Sequence, residues 1–197
     1  MSASARERIR AAAIELFTEK GYAATATREI CQRARVTKPV LYYHFQDKEH
    51  LYREIVLSAC HDAFQELAAA ASGPGSARQR LVNVLAADFA QTRSHPKLAT
   101  LHFRLIFSPR QGAPRIDYVE LGLHWLRLLT RIVRQGIRDG EIRGNAKRLG
   151  EAILGLHTIY TMSFLLRGRP ALGRPLARHI VGLVCPPAGS EPNRRSS

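Results

Sequence analysis

Apolar residues recur at three- and four-residue intervals along almost the whole chain, and no stretch alternates apolar and polar residues with the period of a half-buried strand. That pattern restricts the chain to an all-α fold, because a stripe with helical period cannot keep one face of a strand apolar. Glycine and proline cluster at Gly21, at 72–75, 94–96, 108–114, 140–145 and 168–170, all positions with helix-stop chemistry. The breaks predict nine helices, near 4–20, 27–34, 38–44, 47–71, 76–94, 96–107, 115–139, 146–167 and 172–184. The tail 186–197 is rich in Pro, Ser and Arg and is expected to be disordered.

At 197 residues the chain can build a core without a metal or disulfide staple, and its 45% hydrophobic residues are those of a folded protein. Its net charge of +14 comes mostly from 25 arginines against 5 lysines. Two readings of that excess stay open, an anionic partner or the codon usage of a GC-rich genome. Most of the charge lies beyond residue 50: nine cations face six acidic residues up to there, and 21 face ten afterwards.

Cys31, Cys60 and Cys185 are far apart and odd in number, so neither a disulfide framework nor a zinc site is expected. The eight histidines are dispersed, and no phosphate loop or nucleophile elbow occurs. The reading is therefore no enzyme, no metal and no cofactor. The first ten residues lack the apolar core of a signal peptide, and the apolar run 152–166 is shorter than the roughly 20 residues of a spanning helix. A cytoplasmic protein without a membrane segment is expected.

The first helix carries Ile9, Ala12, Ala13, Leu16 and Phe17 on one stripe and stops at Lys20-Gly21-Tyr22, where the tyrosine can fold back on the last turn. Thr27 is the expected N-cap of a second, short helix whose inward face is Ile30, Cys31 and Ala34. After Val36, Thr37 is placed to cap a third helix with Pro39 in its first turn. Leu41 and Phe45, four apart, face inward and leave Lys38, Pro39, Val40, Tyr42, Tyr43 and His44 outside. Two short helices across a tight turn, the second with an exposed polar and aromatic face, form a helix-turn-helix of the kind that enters the major groove.

Gly21-Tyr22, Thr25, Thr27, Ile30, Ala34, Val36-Thr37, the run Leu41-Tyr42-Tyr43-His44-Phe45, Asp47-Lys48-Glu49 and Leu51 together resemble the TetR family of bacterial regulators. The resemblance covers about residues 5–55. It implies phosphate contacts from Thr27, Tyr42, His44 and Lys48, and a groove surface made of Thr37, Lys38, Pro39, Val40 and Tyr43; Arg28 is a further expected DNA-binding residue. It also implies a three-helix DNA-binding domain over 1–46 and a helical ligand-binding and dimerisation domain over 47–185. Three positions depart from the family pattern. Ala26 stands where threonine is common, Arg35 where the turn usually has glycine, and Gln46 where serine commonly caps the fourth helix, leaving Glu49 to reach back.

For the second domain the expected pocket residues are His61, Phe64, Phe89, His102, Phe103, Ile106, Phe107, Tyr118, Leu121 and Trp125, a mostly apolar set with few polar groups. Ordinary core packing would use the same stripe. The helix 146–167 is apolar on nearly all sides and must be covered on more than one face. With the last helix it is expected to form a twofold homodimer through Leu149, Ile153, Leu156, Tyr160, Phe164, Leu176, Ile180 and Leu183.

The whole reads as a homodimeric DNA-binding regulator, a repressor of a palindromic operator, released when a small-molecule effector binds. The rival is a helical lipid- or acyl-binding protein acting at membranes. An enzyme acting on an anionic substrate has only scattered arginines and histidines behind it.

Overall fold

The computed structural model describes residues 3–107, 112–114 and 116–186; the side chains of 105–107, 118, 119 and 121 fall outside the description. Among the described residues there are nine helices and no strand: α1 (Ala5–Ala24), α2 (Thr27–Ala34), α3 (Lys38–Phe45), α4 (Lys48–Ser72), α5 (Ala77–Ser94), α6 (Pro96–Phe107), α7 (Tyr118–Arg138), α8 (Ala146–Arg167) and α9 (Arg174–Val184). The expected disorder from residue 187 onward lies outside the described residues.

Local chemistry explains where the helices begin and end, and in four places it differs from expectation. Gly21 takes φ +79°, so α1 breaks there as foreseen, but one further turn follows to Ala24. The N-cap of α2 is Ala26, not Thr27: Glu29 Oε2 accepts the Ala26 N–H at 3.0 Å and does the capping that the alanine side chain cannot. Asp47, not Gln46, caps α4, its Oδ1 accepting from the His50 N–H at 2.6 Å, while Glu49 pairs with Arg53. The last helix starts at Arg174 instead of 172, because Gly173 is fully extended and Leu172 turns into the core.

The chain packs as two units. The first comprises the described residues of 3–63 and 95–118. Here α1 packs against α2, α3 and α6, and its core holds Ile9, Phe17, Ile30, Leu41, Phe45 and Ile55, all fully buried. Phe17, Tyr22 and Tyr52 form an aromatic cluster, with Tyr22 and Tyr52 centroids 4.8 Å apart, so Tyr22 does fold back onto α1. Arg10 ties α1 to α4 through Glu54 (3.1 Å) and Ser58 (3.0 Å).

The second unit comprises the described residues of 64–94 and 119–186, with α5, α8 and α9 in mutual contact. Leu81, Leu85, Phe89, Val133, Ile153 and Ile180 are fully buried in its core. Two glycines permit close approach there. A Cβ at Gly136 would come within 2.6 Å of the Ala77 Cβ, and one at Gly150 within 2.6 Å of the Thr130 hydroxyl. Asp88 of α5 and His157 of α8 meet at 2.7 Å inside this core, the imidazole stacked on Phe89 at 5.0 Å. Burial raises the Cys31 thiol above its ordinary range and pushes Cys60 and Cys185 up to about 11, so all three are protonated and unreactive near neutrality.

Candidate nucleic-acid interface

The turn between α2 and α3 keeps its left-handed geometry without glycine. Arg35 adopts φ +54°, ψ +51°, and the next amide, Val36, donates to the Cys31 carbonyl at 3.0 Å to close the helix end. An L-residue in this conformation costs about 1 kcal/mol. The accommodation leaves the Arg35 side chain exposed at the turn. Thr37 takes the N-cap position of α3, as expected, but its hydroxyl makes no capping bond.

Leu41 and Phe45 are fully buried and anchor α3. Its other faces are free. Thr37, Lys38 and Pro39 are exposed, Val40 and His44 are half-buried, and Tyr42 and Tyr43 are 45% and 86% exposed. The Tyr43 ring meets the His44 imidazole edge-on at 5.1 Å. On α2, Thr27 is half-buried and Arg28 exposed. A short helix anchored by two side chains and exposing its N-terminal turn is a geometry that a major groove accepts.

The cations of this segment divide sharply. Six of the nine before residue 51 are engaged within the protein. Arg6 and Arg10 bind Glu54, Arg8 donates to the Ala34 carbonyl, Lys20 pairs with Glu29, Arg33 with Glu19, and Lys48 donates to main-chain carbonyls. Arg28, Arg35 and Lys38 have no side-chain hydrogen bond or ion pair among the described residues. These three sit at the start of α2, at the turn and at the start of α3, where phosphates would flank an inserted α3. Arg35 is absent from the expected contact residues, although its departure from glycine marks it in the sequence as an added cation near DNA.

Lys48 has a structural role that its position does not suggest. Its ammonium donates to the Tyr22 and Thr25 carbonyls, both at 3.0 Å, and lies 4.2 Å from the Tyr22 ring centroid. Burial lowers its pKa from the usual lysine value. Two of its three N–H groups thus clamp the end of α1, leaving one for a phosphate. Lys48→Ala is expected to destabilise the protein by about 1.5–3 kcal/mol, the range for hydrogen bonds to a charged group, as measured by urea unfolding. Unchanged stability would return Lys48 to a purely phosphate-binding role.

The expected pocket residues do not form one cluster in either unit. His61 is exposed, while His102 lies 3.7 Å from the Cys60 sulfur, with Phe103 half-buried, all in the first unit. In the second, Phe64 meets His124 at 5.5 Å, and Phe89 and Trp125 both contact His157 in the packed core. The side chains of Ile106, Phe107, Tyr118 and Leu121 lie outside the described residues.

The expected dimer face needs a larger correction. Ile153 and Ile180 are fully buried in a single chain and cannot touch a partner. Leu149, Leu156, Tyr160, Phe164 and Leu176 pack against the same core, each with part of its surface left open. Leu183 is 59% exposed, and with it stand two residues missing from the expected set, Ile159 at 56% and Leu166 at 77%.

Residues 9–55 match the family model described as bacterial regulatory proteins, tetR family. Over 145 residues the chain is 24% identical to the HTH-type transcriptional repressor KstR2 of Mycolicibacterium smegmatis, covering 72% of this chain and 69% of that protein. It is 34% identical to the HTH-type transcriptional regulator AcrR of Shigella flexneri over 45% of this chain, and the match spans only 43% of AcrR. The fold is similar to that in the SmeT–triclosan complex, with a TM-score of 0.74 at 20% identity, covering 93% of this chain and 92% of that one.

Proposed function

We propose that this TetR family transcriptional regulator, with its helix-turn-helix DNA-binding segment, is a repressor that binds a palindromic operator as a homodimer and leaves it when a small-molecule effector binds. The observation that carries the DNA reading is the exposed face of α3, rimmed by the unpaired cations Arg28, Arg35 and Lys38. Thr37, Lys38, Pro39, Val40 and Tyr43 read the groove, with Thr27, Arg28, Tyr42 and His44 on phosphates. Residues 1–46 act as the reading head and 47–185 as the effector and dimerisation domain. Two heads on one face of the duplex need a separation of roughly 34–36 Å. An effector that alters this spacing by favouring the released state needs a differential affinity equivalent to about 1–3 kcal/mol.

A solved relative of similar fold holds triclosan, which supports the small-molecule part of the reading. The exposed apolar row on α8 supports the dimer. The membrane rival has one observation behind it, since α8 is long and apolar enough to cross a bilayer by length and composition. Against this, its Ile153, His157 and Thr161 are buried in the chain's own core, where His157 is paired with Asp88.

Selection of the purified protein against random duplex DNA at two salt concentrations tests the proposal. Recovery of an inverted repeat is the expected result. Binding without a motif that fades as salt rises, together with flotation on anionic vesicles, would overturn it in favour of the membrane reading.

A further inference from the structure

On α7, Leu128, Arg131, Ile132, Gln135 and Arg138 are spaced by three or four residues and share one face of the helix. This face, the end of α4 and Arg80 of α5 enclose a cleft of about 310 Å³ in the second unit, a volume at the low end of small-molecule sites. None of its lining residues belongs to the pocket expected from sequence.

Its chemistry is one-sided. Arg80, Arg131 and Arg138 line it, and no carboxylate does. Elsewhere on the same helix Arg127 is neutralised by Glu120. In the cleft, Arg138 donates only to the neutral amide of Gln135, and Arg131 has no ion pair or side-chain hydrogen bond among the described residues. The Nε of Arg80 is buried with no hydrogen-bond partner among them, which is costly for a charged donor. The neighbouring carboxylate, Asp139, is engaged by the Gln135 amide at 2.8 and 3.0 Å. Three like charges lining one cleft with no carboxylate among its lining residues favour an anion there, and guanidinium is the side chain best shaped to grip a carboxylate or phosphate. The floor is apolar, made by Leu128 and the buried Ile132.

We propose that this cleft binds an organic anion, a carboxylate or phosphate ester carrying a short apolar body, with Arg80, Arg131 and Arg138 on the head group and Leu128 and Ile132 under the body. That the same ligand governs DNA release rests on the regulator reading above, whereas binding itself is measured without DNA. The two therefore fail separately.

Isothermal titration of the full chain with octanoate, octyl phosphate, inorganic phosphate and octanol is the test. One site per chain is expected for at least one of the two amphiphilic anions, with octanol and inorganic phosphate each at least tenfold weaker. The tighter of octanoate and octyl phosphate identifies the head group. Because Arg131 and Arg138 are exposed, the double variant R131Q/R138Q should melt like the parent and lose at least tenfold in anion affinity. Absence of saturable binding by both amphiphilic anions, equal affinity for octyl phosphate and inorganic phosphate, or unchanged affinity in a folded double variant would each overturn the assignment. Saturable binding that leaves operator affinity unchanged would uphold the cleft and remove this ligand as the effector.

Discussion

Tyr43→Ala is expected to lower operator affinity by roughly 30-fold or more while leaving the fold and the dimer intact. The ring is 86% exposed, so its removal costs the free protein little, within about 0.5 kcal/mol for a surface substitution. The same exposure leaves it free to meet a base edge in the groove. A good base-edge contact is worth about 1–3 kcal/mol, and a twofold dimer on a palindrome loses it twice. Fluorescence anisotropy with the selected operator, beside sedimentation of the variant, checks both halves. Unchanged affinity would remove Tyr43 from the groove. A monomeric variant would mean that the side chain had a structural role that its exposure denies.

The pair Ile159→Glu and Leu166→Glu is expected to break the proposed dimer, raising its dissociation constant at least 100-fold, and with it to abolish cooperative operator binding. The two residues are seven apart on α8, so they lie on one face two turns from each other. Ala152 and Gly155, also exposed, continue that face and let a second helix approach closely. Both substituted side chains face solvent in a single chain, so the variant should fold normally by circular dichroism. In a twofold interface it would bring four carboxylates together without counterions, a repulsion of several kcal/mol. Sedimentation equilibrium reads the outcome. A variant that stays dimeric at nanomolar concentration would place the interface elsewhere.

These predictions separate what helical periodicity can say from what it cannot. Periodicity located nine helices, most of them to within one or two residues, because each helix end carries its own Gly, Pro or capping chemistry. It also put Leu41 and Phe45 inside and Tyr43 outside, since an eight-residue helix with two apolar anchors has only one way to face a core. On longer helices it says less. On α8, apolar side chains occur all round, and the row through Ile153 is as apolar as the row through Ile159. Only the position of α5 and α9 decides that the first is buried and the second left open.

Long polar side chains were harder still. Lys48 stands at a helix start, where its sequence position suggests phosphate binding, yet its ammonium reaches back 23 and 26 residues to the end of α1. Six cations near the reading head are committed to such internal partners, and the three that remain could be told apart only once Glu54, Glu19, Glu29 and the main-chain carbonyls had positions. The same holds for the cleft. Five of its residues follow a helical rhythm on α7, but the absence of a carboxylate opposite them is a fact about α4 and α5.

The sequence by itself determined the all-α class and the helix-turn-helix, because these depend on residues within a few positions of one another, while the left-handed conformation of Arg35 is a finding of the structure. The tertiary structure decided which apolar stripe stays uncovered, which cations remain free and where an anion can be held. Each of those depends on what lies across from a side chain, and charge neutralisation and burial are properties of pairs that the chain brings together only by folding.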